Sequence, residues 1–200
     1  MTNAEILNDK SYQGSNRKDM AKNILSTSKR MRGLVESLLE LARLDNNKAQ
    51  ISLADIGLSK LINDSILPFE PLFFESSMQL ESDIDNGITA LGDKEKLRQV
   101  INILLDNALK YSDPAGKVTV KLKRKSSEAL LSVSGSGDSL SKEECENIFK
   151  RFYRADQSRN DGQSYGLGLS IADSIIKEHG GRIWAQSEGG QNSIFVSLPI

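Results

Sequence analysis

Asn107 and Lys110 stand three apart in the run Leu104-Leu105-Asp106-Asn107-Ala108-Leu109-Lys110-Tyr111. On a helix they share a face one turn apart. An amide oxygen is a hard ligand suited to magnesium, and an ammonium suits phosphate. Tyr111 adds a ring that can stack on a base. Taken alone, the same run also reads as the polar last turn of a core helix. A second place is Ser134-Gly135-Ser136-Gly137-Asp138-Ser139, where glycines let the backbone approach a ligand or simply make a flexible turn. A third is Gly166-Leu167-Gly168-Leu169-Ser170-Ile171, where glycines open a helix after a polar loop. A helix start presents free N–H groups and the positive end of its dipole, which suit phosphate. Leu167 and Leu169 anchor that turn while Gly166 and Gly168 keep its backbone bare. The plainer reading is an ordinary loop-to-helix junction.

These runs must be held by regular elements. Residues 17–47 contain no proline, and Met20, Ile24, Met31, Leu34, Val35, Leu38 and Leu41 recur at steps of three and four. That spacing predicts a helical rod of roughly 45 Å with one apolar stripe, which must meet another helix. Residues 2–9 read as the end of an earlier helix and 11–16 as a turn, so the hairpin's first arm is too short. Dimerisation, or a further N-terminal portion, is the inference. From residue 51 onward short strands alternate with helices. Strands are expected at 51–53, 78–84, 88–91, 117–122, 129–133, 182–187 and 193–198. Helices are expected at 58–75, divided by Pro68 and Pro71, from the cap Asp93 through Leu97 to Ala108 and ended by the turn at 113–116, at about 142–149 and at about 167–179. A Ser/Gly-rich loop is expected over 134–139. The order predicts an α+β fold, a two-layer sandwich of a mixed sheet with helices on one face.

Bulk properties narrow the function. The formal net charge of −1 offers no electrostatic case for nucleic acid or an anionic membrane surface. No apolar stretch reaches the ~20 residues of a membrane helix. The one cysteine, Cys145, excludes an internal disulfide and a cysteine-cluster zinc site. It lies among glutamates that would raise its pKa, which argues against a catalytic pair with His179. The chain reads as soluble and from a reducing compartment.

In this order and spacing the runs resemble the sensor histidine kinases of two-component systems. Residues 97–111 look like that family's asparagine box. Ile148-Phe149-Lys150-Arg151-Phe152-Tyr153-Arg154 looks like its phenylalanine box, and Gly166-Leu167-Gly168-Leu169 like its second glycine box. His179-Gly180-Gly181-Arg182-Ile183-Trp184 and the closing Leu198-Pro199 match its ending. The resemblance implies an ATP-binding catalytic domain of GHKL (Bergerat) type at 49–200. It implies part of the dimerisation and phosphotransfer hairpin at 1–48. Asn107 would chelate magnesium, Lys110 and Arg154 would contact phosphate, and Tyr111 and Tyr153 would line the nucleotide. Gly135 and Gly137 would face the base, and Gly166, Leu167, Gly168 and Leu169 would cradle the phosphates under a lid at 155–165. The implied reaction is transfer of the ATP γ-phosphoryl group to a histidine. Implied partners are a response-regulator receiver domain and a second copy of the chain. The implied location is the cytoplasmic portion of a membrane-anchored protein, with no membrane contact in this portion.

The chain departs from the family in four places. The acceptor histidine is missing, because His179 falls in the structural His-Gly-Gly stretch; the acceptor is expected just upstream of residue 1. The family's Asp-x-Gly-x-Gly reads Gly135, Gly137 and Ser139, so the carboxylate that accepts from the adenine amino group is absent. Losing such a bond costs roughly 1.5–3 kcal/mol. An expected asparagine is Ile103, with Asn102 one place early and pointing off the site. Gln163 replaces a common lid glycine. Two alternatives therefore stand beside an active kinase half: a regulatory dimer module with weak nucleotide binding, and a non-kinase ATPase of the same superfold.

Overall fold

The computed structural model describes residues 16–45, 52–155 and 165–200. The chain divides into two compact units, Met1–Ala42 and Arg43–Ile200. The first contains most of helix α1 (Asn16–Asp45), the rod expected from the spacing. Its Leu25, Met31, Val35, Leu38 and Leu39 are exposed. The short helix expected over 2–9 lies outside the described residues, as does the turn over 11–16, except that Asn16 is already helical.

The second unit begins with β1 (Ala54–Gly57), α2 (Leu58–Ile66), a 3-10 turn (Leu67–Phe69) and α3 (Glu70–Glu75). Pro68 and Pro71 each sit in the first turn of their element, so they divide the expected helix by starting new ones. Then come β2 (Gln79–Ile84), β3 (Thr89–Gly92), α4 (Lys94–Tyr111), β4 (Lys117–Lys125) and β5 (Glu128–Ser136). The chain closes with α5 (Lys142–Asn147), α6 (Gly168–Glu178), β6 (Arg182–Glu188) and β7 (Gln191–Pro199).

Five strands form one sheet in the order β2-β4-β5-β7-β6. Only the β2–β4 pair is parallel, so the sheet is mixed, as expected. The period-two pattern sets its faces. Val118, Val120 and Leu122 of β4 lie opposite Gly135, Val133 and Leu131 of β5, which face Asn192, Ile194 and Val196 of β7. Most of these are buried. They meet the apolar sides of α4 and α6, where Leu97, Val100, Ile101, Leu104 and Leu105 interlock with Ile171, Ala172, Ile175 and Ile176. Trp184 stacks on Phe195 at 5.3 Å on the opposite face, with Arg182 over the Trp184 ring.

Two expectations need correction. Residue 51 lies outside the described residues, and the first strand is Ala54–Gly57, with Ser52 and Leu53 before it, because tertiary pairing decides it: Ala54 to Gly57 pair antiparallel with Gly92 to Thr89. The Ser/Gly stretch is not a loop from residue 134. Strand β5 continues through Ser136, which pairs with Gln191, so Gly135 lies inside the sheet. A glycine-rich run can extend a strand when both neighbouring strands reach that far.

Candidate functional site

Helix α4 carries most of the site. Asp93 caps it, accepting from the N–H groups of Glu95 and Lys96 at 3.0 and 3.1 Å. Burial alone would raise the Asp93 pKa, but the N–H groups of Lys96, Ser52 and Glu95 outweigh it and hold the carboxyl below its usual range. Toward the other end, Asn107 Nδ2 donates to the Ile103 carbonyl at 2.8 Å. That bond leaves Oδ1, the atom suited to a hard cation, as the other end of the amide. Lys110 is ion-paired with Asp106 one turn back. Such a pair contributes only ~0.3–0.5 kcal/mol, so an incoming phosphate can take the ammonium. Asn102 is exposed and turned away, as expected, while Ile103 faces α6.

Helix α6 brings its start against this face. A Cβ on Gly168 would lie 3.4 Å from Ile103 Cγ2 and 4.0 Å from Asn107 Nδ2. The capping position is Leu167, which supplies no side-chain hydrogen bond. The first-turn N–H groups of α6 are therefore uncapped beside Asn107, an arrangement that suits phosphate.

The phenylalanine-box residues fasten the approach to α6. Phe152 N–H donates to the Gly166 carbonyl at 2.9 Å. Gly166 has φ +68°, and a Cβ there would lie 2.6 Å from the Tyr153 carbonyl oxygen, so only glycine fits. Phe152 also has a positive φ, 62°, and is exposed. Tyr153 and Arg154 are half-buried alongside. These contacts bring together the two ends of the expected lid, whose residues 156–164 lie outside the described residues.

At the far end of α4, Gly137 packs against the Tyr111 carbonyl and Asn192 Nδ2, each 3.2 Å from where its Cβ would be. Gly135 faces Ser112, the residue that ends α4. Asn192 Nδ2 donates to the Asp138 carbonyl at 2.9 Å, while its Oδ1 is buried without a partner. Ser112 and Asn192 escaped the sequence reading. Ser112 could have been flagged as the next residue after Tyr111, but Asn192 carries no local signal.

His179 is a structural residue. It is 6% exposed, and both ring nitrogens are used. Nε2 accepts from the Asp93 N–H at 2.9 Å, and Nδ1 faces the Ile175 carbonyl at 2.7 Å, which fixes the proton on Nδ1. Burial, then the carboxylates of Glu144 and Glu146, push the Cys145 thiol up. Neither residue is placed to act as a nucleophile.

Residues 92–200 match the family model described as histidine kinase-, DNA gyrase B-, and HSP90-like ATPase. The sensor protein DltS of Streptococcus agalactiae serotype III (strain NEM316) is 37% identical over 177 residues, covering 88% of this chain and 45% of that protein. The chain thus spans about half the length of the curated relatives it matches. The catalytic domain of histidine kinase ThkA, in a nucleotide-free form, superimposes with a TM-score of 0.67 at 26% identity, covering 74% of this chain and 95% of that one. ThkA in complex with the response regulator TrrA has the same fold, with a TM-score of 0.77 at 23% identity over 95% of this chain and 53% of that one. With its five-stranded mixed sheet, its helices on one face and its bare α6 start set against Asn107, the chain belongs to the histidine kinase-, DNA gyrase B- and HSP90-like ATPase family, as an ATP-binding catalytic domain of the histidine kinase type.

Proposed function

We propose that this chain is the phosphoryl-transferring half of a sensor histidine kinase and acts on a histidine carried outside it. The observation that carries this reading is the meeting of Asn107 with the uncapped start of α6 at Gly168. Asn107 Oδ1 would hold magnesium, and Lys110 and Arg154 would contact the outer phosphates. The N–H groups at the start of α6 would take the phosphate oxygens. Among the described residues no group of three or more His, Cys, Asp or Glu forms a metal cage. That suits magnesium, which is commonly held by one or two protein oxygens and the substrate's own phosphates. Bound there, magnesium supplies charge neutralisation on the phosphates. The protein's share is positioning: Asn107, Lys110 and Arg154 orient the chain of phosphates for in-line transfer, and the lid excludes water.

His179 is buried and doubly bonded, so the acceptor histidine belongs to another segment. The exposed apolar side chains of α1 fit a helical dimer with a second copy. A receiver-domain protein would take the phosphoryl group onward. No helix among the described residues is long and apolar enough to cross a membrane. We place the chain on the cytoplasmic side of a protein anchored by other segments. A regulatory module with weak nucleotide binding is the second reading, favoured by Gly135 and Ser139 in the run where the family has Asp-x-Gly-x-Gly.

Calorimetric titration with ADP and ATP, with and without magnesium, separates the two. Magnesium-dependent binding on the order of micromolar supports the kinase reading. A folded sample that binds nothing at millimolar nucleotide leaves the regulatory module.

A further inference from the structure

The two ends of the α4 site differ in chemistry. The Asn107 and Gly168 end offers an amide oxygen and bare N–H groups, suited to phosphate and metal. One and a half turns on, the Ser112 and Gly135 end is walled by buried Val118 and by neutral polar groups. A nucleotide with its phosphates at the first end places its base at the second.

Ser112 dominates that end. A Cβ on Gly135 would lie 2.0 Å from Ser112 Oγ, 3.2 Å from Ser112 Cβ and 3.4 Å from Val118 Cγ2. The hydroxyl therefore fills the space from which any side chain at position 135 would project. Ser112 is 7% exposed. Asn192 pairs with Gly135 across β5 and β7, and its Oδ1 is buried without a partner. Both groups can accept or donate.

That ambivalence has a consequence for base choice. A carboxylate only accepts, so it pairs with a 6-amino group and is repelled by a 6-oxo group. A hydroxyl turns to suit: it accepts from the amino group of adenine or donates to the oxo group of hypoxanthine. We propose that the Ser112 hydroxyl closes the base end of the site and that the site therefore takes 6-oxopurine nucleotides as well as 6-aminopurine ones. The proposal rests on the reading that this chain binds ATP.

The test is calorimetric titration of the whole chain with magnesium and ADP, and separately with magnesium and IDP, whose hypoxanthine base carries an oxo group in place of the amino group. The expected result is affinities within about tenfold of each other, against the hundredfold or more that a one-sided hydrogen bond can impose. Ser112→Ala should weaken both by roughly five- to tenfold, and Ser112→Thr, which keeps the hydroxyl, should weaken them less. An ADP preference beyond about thirtyfold overturns the proposal while leaving ATP binding intact. An unchanged pair of affinities in a folded Ser112→Ala sample also overturns it. If ADP is strongly preferred and Asp138→Asn abolishes the preference, the acceptor is Asp138 and not Ser112. Binding of neither nucleotide would bring down the ATP reading itself.

Discussion

The backbone N–H of Asp93 donates to Nε2 of His179, 86 residues further along the chain, at 2.9 Å. The same ring lies against Gly92, where a Cβ would be 2.9 Å from His179 Cδ2. One imidazole thus ties the C-terminal end of α6 to the start of α4, the two helices that meet at the site. Removing it would leave the Asp93 N–H unsatisfied, take from the Ile175 carbonyl one of its partners and open a cavity. His179→Ala is expected to lower stability by about 2–4 kcal/mol, read as a shifted urea midpoint. A variant as stable as the parent would refute the structural assignment, as would phosphohistidine found at position 179.

Asp93 makes stability depend on pH in acid. Its carboxyl is held below the ordinary range, so its contribution is fully present above the unfolded-state value of about 3.9. That contribution is lost as pH falls through the lower folded-state value. Asp93→Asn keeps the cap geometry but not the charge. The stability gap between parent and variant should be constant near neutrality and narrow below pH ~4. A gap that widens in acid would contradict the assignment.

Asn107 lies on the half-buried face of α4 and contributes no core volume. Asn107→Ala should leave the melting temperature within a few degrees, roughly the effect of 1 kcal/mol or less. It should also remove the magnesium dependence of nucleotide affinity, with a loss of at least about tenfold. Unchanged magnesium-dependent binding would take Asn107 out of the site.

Gly166 combines a positive φ with a carbonyl oxygen 2.6 Å from the space of a side chain. Gly166→Ala is expected to cost about 1–3 kcal/mol and to shift the Phe152 and Tyr153 backbone. Nucleotide affinity should fall with it, because the backbone leading into the start of α6 moves. Thermal unfolding and ADP titration on the same sample check both effects.

The Cys145 thiol, pushed up by burial and by Glu144 and Glu146, is mostly protonated at neutral pH. Alkylation by iodoacetamide should be slower than for a free thiol at pH 7 and accelerate only above the ordinary range near 8.5. Cys145→Ser should bind nucleotide as the parent does. Rapid labelling at pH 7 would show a different environment.

Much of the fold was legible in the residues because its signals are local. The apolar spacing of α4 and α6, the alternation of β4, the Asp93 cap and the prolines at 68 and 71 depend on near neighbours. The order of the glycine and asparagine runs was enough to place the family. What tertiary structure decided are pairings between distant segments. Strand β1 formed at Ala54–Gly57, where Gly92 to Thr89 offered a partner. Strand β5 ran on through Gly135 because β4 and β7 reach that far. Lys110 settled against Asp106. The loss of a carboxylate at position 135 was visible in the sequence, but the serine that fills its space was not. Which group occupies a vacated volume is set by close packing between an α4 terminus and a strand end, and no spacing along the chain encodes that contact.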